Sequence, residues 1–194
     1  MKPWIILFTF IASSLSACGQ SQSRLDDTFT FRGIKLRSKP DEISGLVLTG
    51  PENEYGVQIF RSKEDKLSFN GVPLQSITYI FFRGRLCVIS LQWWSKGPES
   101  QLPKAENFIT SQYGKPTKKT RQKSDDGAAT FDFLDWTGPK AGIHITNFTA
   151  PMQDGKIPFT SGHVSVLDVE LEQQMEDYEK QVETQKAKRQ SDGL

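Results

Sequence analysis

The sequence predicts an α+β fold: a mostly antiparallel sheet of about six or seven strands, with two packed helices and a further C-terminal helix. Three patterns predict it: segments in which apolar and polar residues alternate, a helix-spaced apolar stripe that ends in glycine, and a polar C-terminal stretch rich in Glu, Gln and Lys. The 194 residues, of which 36% are hydrophobic and 24% charged, suffice for one folded domain and are too apolar for a disordered chain.

The N-terminal part of the domain contains two predicted strands and a short helix. Alternation of apolar and polar residues over 29–36 and over 55–61 predicts the strands. Ser38 followed by Pro40 predicts the helix between them, because serine caps the free N–H groups of a first turn and proline is tolerated there.

A β-hairpin over residues 76–94 is the clearest predicted element. Two runs rich in β-branched and aromatic residues flank Arg83 and Gly84, and glycine suits the positive φ of a two-residue turn. This turn would place Ile80 opposite Cys87. Because both faces of the hairpin are apolar, we expect it in the centre of the sheet, with a helix covering at least one face.

A helix is predicted over residues 100–113, where Leu102, Ala105 and Ile109 lie at helical spacing. Gly114 follows as a signal that ends the helix. Alternation predicts three further strands, at 130–136, 142–148 and 163–169.

The C-terminal segment, 170–194, is predicted to form an amphipathic helix as far as about Arg189, followed by a disordered tail from residue 190. Its narrow apolar seam consists of Leu171, Met175, Tyr178 and Val182. The seam fits docking on the domain's own sheet, a short coiled coil or a partner helix, since under three heptads is too short to identify a coiled coil. The order of helices and strands is also weakly repeated in the two halves of the chain.

The charge balance argues against nucleic-acid binding. The chain has 24 basic and 23 acidic residues, and Lys2 is the only charge in the first 23 positions. Without the leader the charges cancel, whereas a nucleic-acid binder needs an excess of Lys and Arg to displace counterions.

The first 17 residues have the pattern of a secretory signal peptide. Lys2 supplies the positive charge, residues 4–12 are almost wholly apolar, and small residues follow. The apolar run is about 9 residues long, which is too short to span a bilayer as a helix of ~20 residues. We therefore leave this segment out of the fold.

Leu15-Ser16-Ala17-Cys18 resembles the lipobox of bacterial lipoproteins. The resemblance implies that the leader is cleaved before Cys18, that its thiol receives a diacylglyceryl group, and that the new amino terminus receives an acyl chain such as palmitate. Several chains make membrane attachment durable, whereas one alone gives reversible binding. Gly19, in place of Asp, implies transfer to the outer membrane, and the polar residues 18–27 are expected to form a flexible tether. The alternative is ordinary secretion with an unmodified Cys18.

Three short segments resemble a recurring small bacterial α+β domain of uncharacterised role. They are Phe31-Arg32-Gly33-Ile34, Gly71-Val72-Pro73-Leu74 and Tyr113-Gly114-Lys115-Pro116. The resemblance implies a single domain over 28–169 and assigns it no chemistry.

No motif for catalysis, metal binding or a cofactor is present. The sequence lacks phosphate-binding, dinucleotide-binding, zinc-protease, serine-hydrolase and EF-hand patterns. His144 and His163 are predicted on strand surfaces, and Cys87 is predicted to be a small buried side chain. Asp132 and Asp135 would point to opposite faces of one strand. We therefore predict no catalytic residue, no metal ligand and no cofactor.

Two features suggest a binding surface. If Trp93 lies in the core, the neighbouring Trp94 points to the opposite sheet face, where it would suit a partner or a sugar ring; the alternative is that both faces are covered. Lys118, Lys119 and Arg121 belong to a basic run without an acid, which would meet anionic headgroups or cell-wall carboxylates; the alternative is a solvated loop.

We therefore predict an outer-membrane lipoprotein that faces the periplasm and acts as a non-enzymatic binding or accessory module. Its expected partners are the membrane, through the lipid anchor, and an envelope protein or cell-wall component. The alternatives are an envelope hydrolase, in which Asp132, Asp135, His144 and Glu170 would meet in one pocket, and a structural protein that assembles through its C-terminal helix.

Overall fold

A computed structural model describes residue 26 and residues 29–96, 100–151 and 158–191. The predicted signal peptide, Cys18, the predicted tether apart from Asp26 and residues 192–194 lie outside these ranges. The described strands are β1 (Thr30–Phe31), β2 (Ile34–Lys35), β3 (Leu46–Leu48), β4 (Val57–Ser62), β5 (Ser68–Phe69), β6 (Val72–Pro73), β7 (Ser76–Phe82), β8 (Arg85–Lys96), β9 (Lys118–Lys123), β10 (Thr130–Thr137), β11 (Ala141–Pro151) and β12 (Pro158–Asp168). The helices are α1 (Leu102–Tyr113) and α2 (Val169–Ser191).

Eight of these strands form one antiparallel sheet in the order β3-β4-β7-β8-β12-β11-β10-β9. Each half of the sheet is a four-stranded meander, and the last strands of the two meanders, β8 and β12, pair at the centre. A 3₁₀ turn precedes the first meander and α1 precedes the second. The α+β class is confirmed, and the main sheet has eight strands rather than six or seven because two polar or short strands form its edges.

One face of the sheet, here called the core face, packs against α1 and the two small hairpins β1–β2 and β5–β6. Leu102, Ala105 and Ile109 of α1 are buried there, as their spacing predicts. Its largest buried side chains include Trp93, Trp136, Tyr79, Phe31, Phe81 and Leu86. The indole N–H of Trp136 donates to the carbonyl of Gly114 at 2.7 Å and so ties β10 to the end of α1.

The opposite face is covered by α2 over only part of its area. Phe82, Cys87, Val88 and Leu167 are buried in a second cluster beneath α2. The seam residues Leu171, Met175 and Tyr178 pack on this cluster. The C-terminal helix therefore docks on the domain's own sheet, and it continues to Ser191 rather than ending near Arg189.

Two expectations for the N-terminal segment are wrong. Residues 29–36 form the short hairpin β1–β2 rather than one strand, because Arg32 and Gly33 take positive φ angles of 52° and 80°. The helix expected after Ser38 is a single 3₁₀ turn at Pro40–Glu42, because Ile43 is extended.

The register of the central hairpin also differs by one position. β7 and β8 pair as predicted near the turn, but an irregularity at Ile80 and Phe81 sets Ile80 opposite Val88 instead of Cys87. The extra residue of the bulge is Cys87, which is fully buried. Turn geometry alone does not reveal a bulge further along the strands.

Candidate functional site

Five adjacent strands leave part of the sheet uncovered on the side of α2. The cross-strand register aligns their side chains in rows that run across the sheet. We call two of these rows the aromatic face: Trp94, Ser161, Phe148, Phe131 and Gln122 in the first row, and Gln92, His163, Thr146, Phe133 and Thr120 in the second. Lys96 and Phe159 pair beyond the first row, on the same side of the sheet, and form its edge.

Trp94 is the most exposed aromatic ring of this face. Its side chain is 43% exposed, whereas that of Trp93 is 1% exposed in the core. The alternation of a strand thus places the two indoles as predicted, and helices do not cover both faces. The Trp94 ring lies 6.2 Å from the ring of Phe159, measured between centroids, and Lys96 Nζ lies 5.8 Å from it.

Three phenylalanines continue the aromatic surface across β11 and β10. The ring centroids of Phe148 and Phe131 are 5.0 Å apart, and those of Phe131 and Phe133 are 6.5 Å apart with an angle of 11° between planes. All three side chains are half-buried, so each ring presents part of its surface. Aromatic contact area is therefore available from β8 to β10.

None of the ten side chains of the aromatic face carries a fixed charge. Burial lowers the pKa of His163, and the nearby His144 acts in the same direction, so His163 is neutral at pH 7. In a chain with 24% charged residues, ten surface positions would on average include two or three charges. Depletion of charge around exposed aromatic rings is typical of a binding surface.

The polar side chains of this face have free hydrogen-bonding capacity. The Ser76 hydroxyl donates to Gln92 Oε1 at 3.0 Å, which leaves the amide N–H groups of Gln92 for a ligand. Within the described ranges, Ser161, Thr146, Thr120 and Gln122 make no side-chain hydrogen bond. A shallow depression of about 270 Å³ is lined by Gln92, Thr146, Phe148, Ser161, Gly162 and His163.

The next row of side chains, nearer to α2, contains His144 and Asp135. His144 Nδ1 donates to Asp135 Oδ1 across the strands, with 2.7 Å between the two atoms. Glu172 of α2 lies close enough for His144 to influence its pKa, which burial raises above the usual range. Sequence reasoning missed Glu172, because only the docking of α2 brings it to this row.

The four-residue pocket expected of a hydrolase is not formed. Asp132 lies on the core face and pairs with Arg121 at 2.6 Å. Glu170 pairs with Arg37 at 2.6 Å, so only Asp135 and His144 come together.

Within the described residues, the His144 side chain forms a hydrogen bond to Asp135 and none to a hydroxyl or a thiol. Ser165 is the cross-strand partner of His144, but His144 Nε2 would lie 3.4 Å from a Cβ added at Gly142 and so leans towards α2. β11 and β12 are paired on both sides, so their backbone N–H groups donate within the sheet rather than into an oxyanion hole.

The described residues contain no reactive thiol, no cluster arranged for a metal ion and no helix suited to span a membrane. Cys87 is fully buried, and burial raises the pKa of its thiol to about 12, so it is not a nucleophile at neutral pH. No group of three or more His, Cys, Asp and Glu side chains in these ranges is arranged to hold a metal ion. Neither described helix combines the length and the apolar character needed to cross a bilayer.

The basic run does not form one patch. It forms the edge strand β9 instead of a loop, because it pairs with β10 along its whole length, and lysines are common on exposed sheet edges. Lys118 lies on the side of α2, next to Asp135. Lys119 and Arg121 point to the opposite side, where they pair with Glu106 at 2.8 Å and with Asp132.

The chain matches no known family model, no curated protein and no solved structure.

Proposed function

We propose that this chain is a bacterial outer-membrane lipoprotein, anchored by acyl groups on Cys18, and that it binds a periplasmic partner through the aromatic face. The observation that carries the proposed binding role is the surface of exposed aromatic rings, from Trp94 on β8 to Phe131 on β10, that α2 leaves open. The leader and the lipobox supply the argument for the anchor.

The energetics favour a role in binding for this surface. Burial of apolar area contributes roughly 25 cal/mol per Å², so a partner that buries the exposed aromatic rings would be stabilised by that contact. The core face is already filled, and α2 already covers the apolar cluster next to the open rows. The open aromatic rings are therefore not needed to complete the fold.

The binding role is tested by site-specific photo-crosslinking in intact cells. A photoreactive residue at Gln122, which is exposed on the aromatic face, should form an adduct with an envelope component, and Trp94→Ala should reduce its yield at least fivefold. The same photoreactive residue at Gln181, which is exposed on α2, is the matched control.

An adduct that survives Trp94→Ala, or equal adducts at Gln122 and Gln181, would show that the aromatic face is not the binding surface. The melting temperature of the Trp94→Ala variant checks that the fold is intact, and Gln92→Ala provides a second variant at an exposed position.

A further inference from the structure

The charge of the aromatic face limits the charge of its ligand. Desolvating a charged group is unfavourable unless an opposite charge or strong hydrogen bonds compensate. The two rows of the aromatic face offer aromatic, hydroxyl and amide groups and a neutral imidazole, but no fixed charge. In the described part of the chain, Lys96 Nζ lies 5.8 Å from the Trp94 ring, so an anionic group would find a counter-charge at that end of the first row. The ten side chains of the two rows themselves provide none, so their chemistry favours an uncharged ligand along most of the face.

The aromatic face combines aromatic rings with hydroxyl and amide groups. Aromatic faces carry negative partial charge, and they attract the weakly positive C–H groups of a saturated ring. The hydroxyls of Ser161, Thr146 and Thr120 and the amides of Gln92 and Gln122 can both donate and accept hydrogen bonds. A ligand that combines ring C–H faces with many hydroxyl groups matches both sets, and this is the chemistry of a saccharide.

The row of aromatic rings is long and narrow. Trp94 on β8 and Phe131 on β10 are separated by three strand spacings, or about 14 Å at ~4.8 Å per spacing. The aromatic row crosses the strands, so a linear chain lying across them could contact Trp94, Phe148 and Phe131 in turn. The two rows over five strands cover about 300 Å², well under the ~800 Å² per partner of a stable protein interface.

We infer that the aromatic face binds an uncharged, linear oligosaccharide, with its sugar rings stacked on Trp94 and the phenylalanines and its hydroxyls bonded to Gln92, Ser161 and Thr146. This inference rests on the proposed function, because it names the ligand class of the same surface. A protein partner is the competing outcome of the test.

The inference is tested by calorimetric titration of the mature full-length protein with tetrasaccharides. A zwitterionic detergent is used, because a detergent with a sugar headgroup would compete. The probes are the β-1,4 tetramers of N-acetylglucosamine and of glucose, which separate an amino-sugar chain from a plain glucose chain, and a sulfated tetrasaccharide is the charged control. At least one neutral tetramer should bind, and the sulfated one should bind at least tenfold more weakly.

Trp94→Ala and Gln92→Ala should each weaken the binding of that tetramer, by at least tenfold for Trp94→Ala. Leu67→Ala is the matched control, because Leu67 is 50% exposed outside the aromatic face. In the unsubstituted protein the bound sugar should also shield Trp94 from iodide quenching. Trp94 is the exposed one among the three tryptophans that the structure describes, since Trp93 and Trp136 are buried.

Absence of binding by both neutral tetramers overturns the inference, and so does binding that both variants leave unchanged or that the sulfated control equals. If this happens while the Gln122 crosslink still depends on Trp94, the proposed function stands and the ligand is of another class. If the crosslink is lost as well, the proposed binding role also falls.

Discussion

At the residue scale, His144 lies between two carboxylates from different elements. Its Nδ1 donates to Asp135 on β10, and Glu172 faces it from α2. Burial raises the pKa of Glu172, the charge of Glu176 raises it further, and His144 acts in the opposite direction. Ionisation of Glu172 therefore destabilises the packing of α2 on the sheet.

The pH dependence of stability tests this arrangement. A raised carboxyl pKa means that the folded chain holds the proton more tightly than the unfolded chain, so this stabilising contribution is present at low pH and is lost as the pH rises through the folded pKa. Glu172→Gln should therefore raise the melting temperature at pH 7 and change it little near pH 4, below the ordinary carboxyl pKa of 4.5. Glu179→Gln, at an exposed position of α2, is the control. An equal effect of Glu172→Gln at both pH values would contradict the argument.

The direction of a strand side chain could be predicted from the sequence, whereas its neighbours on other elements could not. Parity along a strand was enough to place Trp94 outside the core and to put Asp132 and Asp135 on opposite faces. The contact of Asp135 with His144 depends on the register of β10 and β11, and the approach of Glu172 depends on how α2 docks. Neither is a local property of the chain.

At the element scale, α2 is held by a charged contact at its start as well as by its apolar seam. Asp168 is fully buried and accepts the backbone N–H of Leu171 at 2.9 Å, which caps the first turn of α2. Arg37 Nη2 donates to the same carboxylate at 3.1 Å and also pairs with Glu170. The N-terminal segment is thereby fastened to the start of the C-terminal helix.

Asp168→Ala should destabilise the protein by about 2 kcal/mol, because it removes a helix cap and leaves Arg37 without its buried partner. The loss of stability is smaller than for a fully buried ion pair, because the Arg37 side chain is 45% exposed and water screens its charge. Urea unfolding measures the change, and Asp177→Ala, on an exposed part of α2, is the comparison. If both variants unfold at the same urea concentration, the cap contributes nothing.

Elements with an apolar period were predictable, and those without one were not. The hairpin β7–β8, the helix α1 and the strands β10 and β11 alternate or repeat in apolar residues, and each is found near its predicted bounds. β12 was predicted over 163–169 but begins at Pro158, five residues earlier. β9 has no apolar residue, so its sequence suggests a solvated loop, and only the pairing with β10 makes it a strand.

At the scale of the whole molecule, the two meanders are covered unequally. α2 packs over Val57, Ile80 and Phe82 of the first meander, whereas the same side of β9, β10 and β11 stays largely open. The topological repeat provides two similar surfaces, and a single helix turns one of them into core. The weak repeat in the sequence suggested two halves but did not indicate which half would stay exposed.

The proposed anchor is tested on the whole chain. Cys18→Ala should move the protein from the membrane fraction to the soluble fraction after cell lysis, because no acyl chain can then be attached at that position. Cys87→Ala is the matched control, since it changes the other cysteine and should leave the protein with the membranes. Persistence of the Cys18→Ala variant in the membrane pellet would refute the anchor.

Asp26 sets how far the domain can extend if Cys18 is anchored. Its Oδ1 accepts the backbone N–H groups of Lys140 and Ala141 at 3.0 and 2.9 Å, so the chain joins the domain at the turn between β10 and β11. Seven residues lie between Cys18 and Asp26, and the eight Cα-to-Cα steps from one to the other span at most about 28 Å. Phe148 lies seven residues beyond Ala141 along β11, or roughly 23 Å further. The aromatic face would then reach no further than about 50 Å from the bilayer.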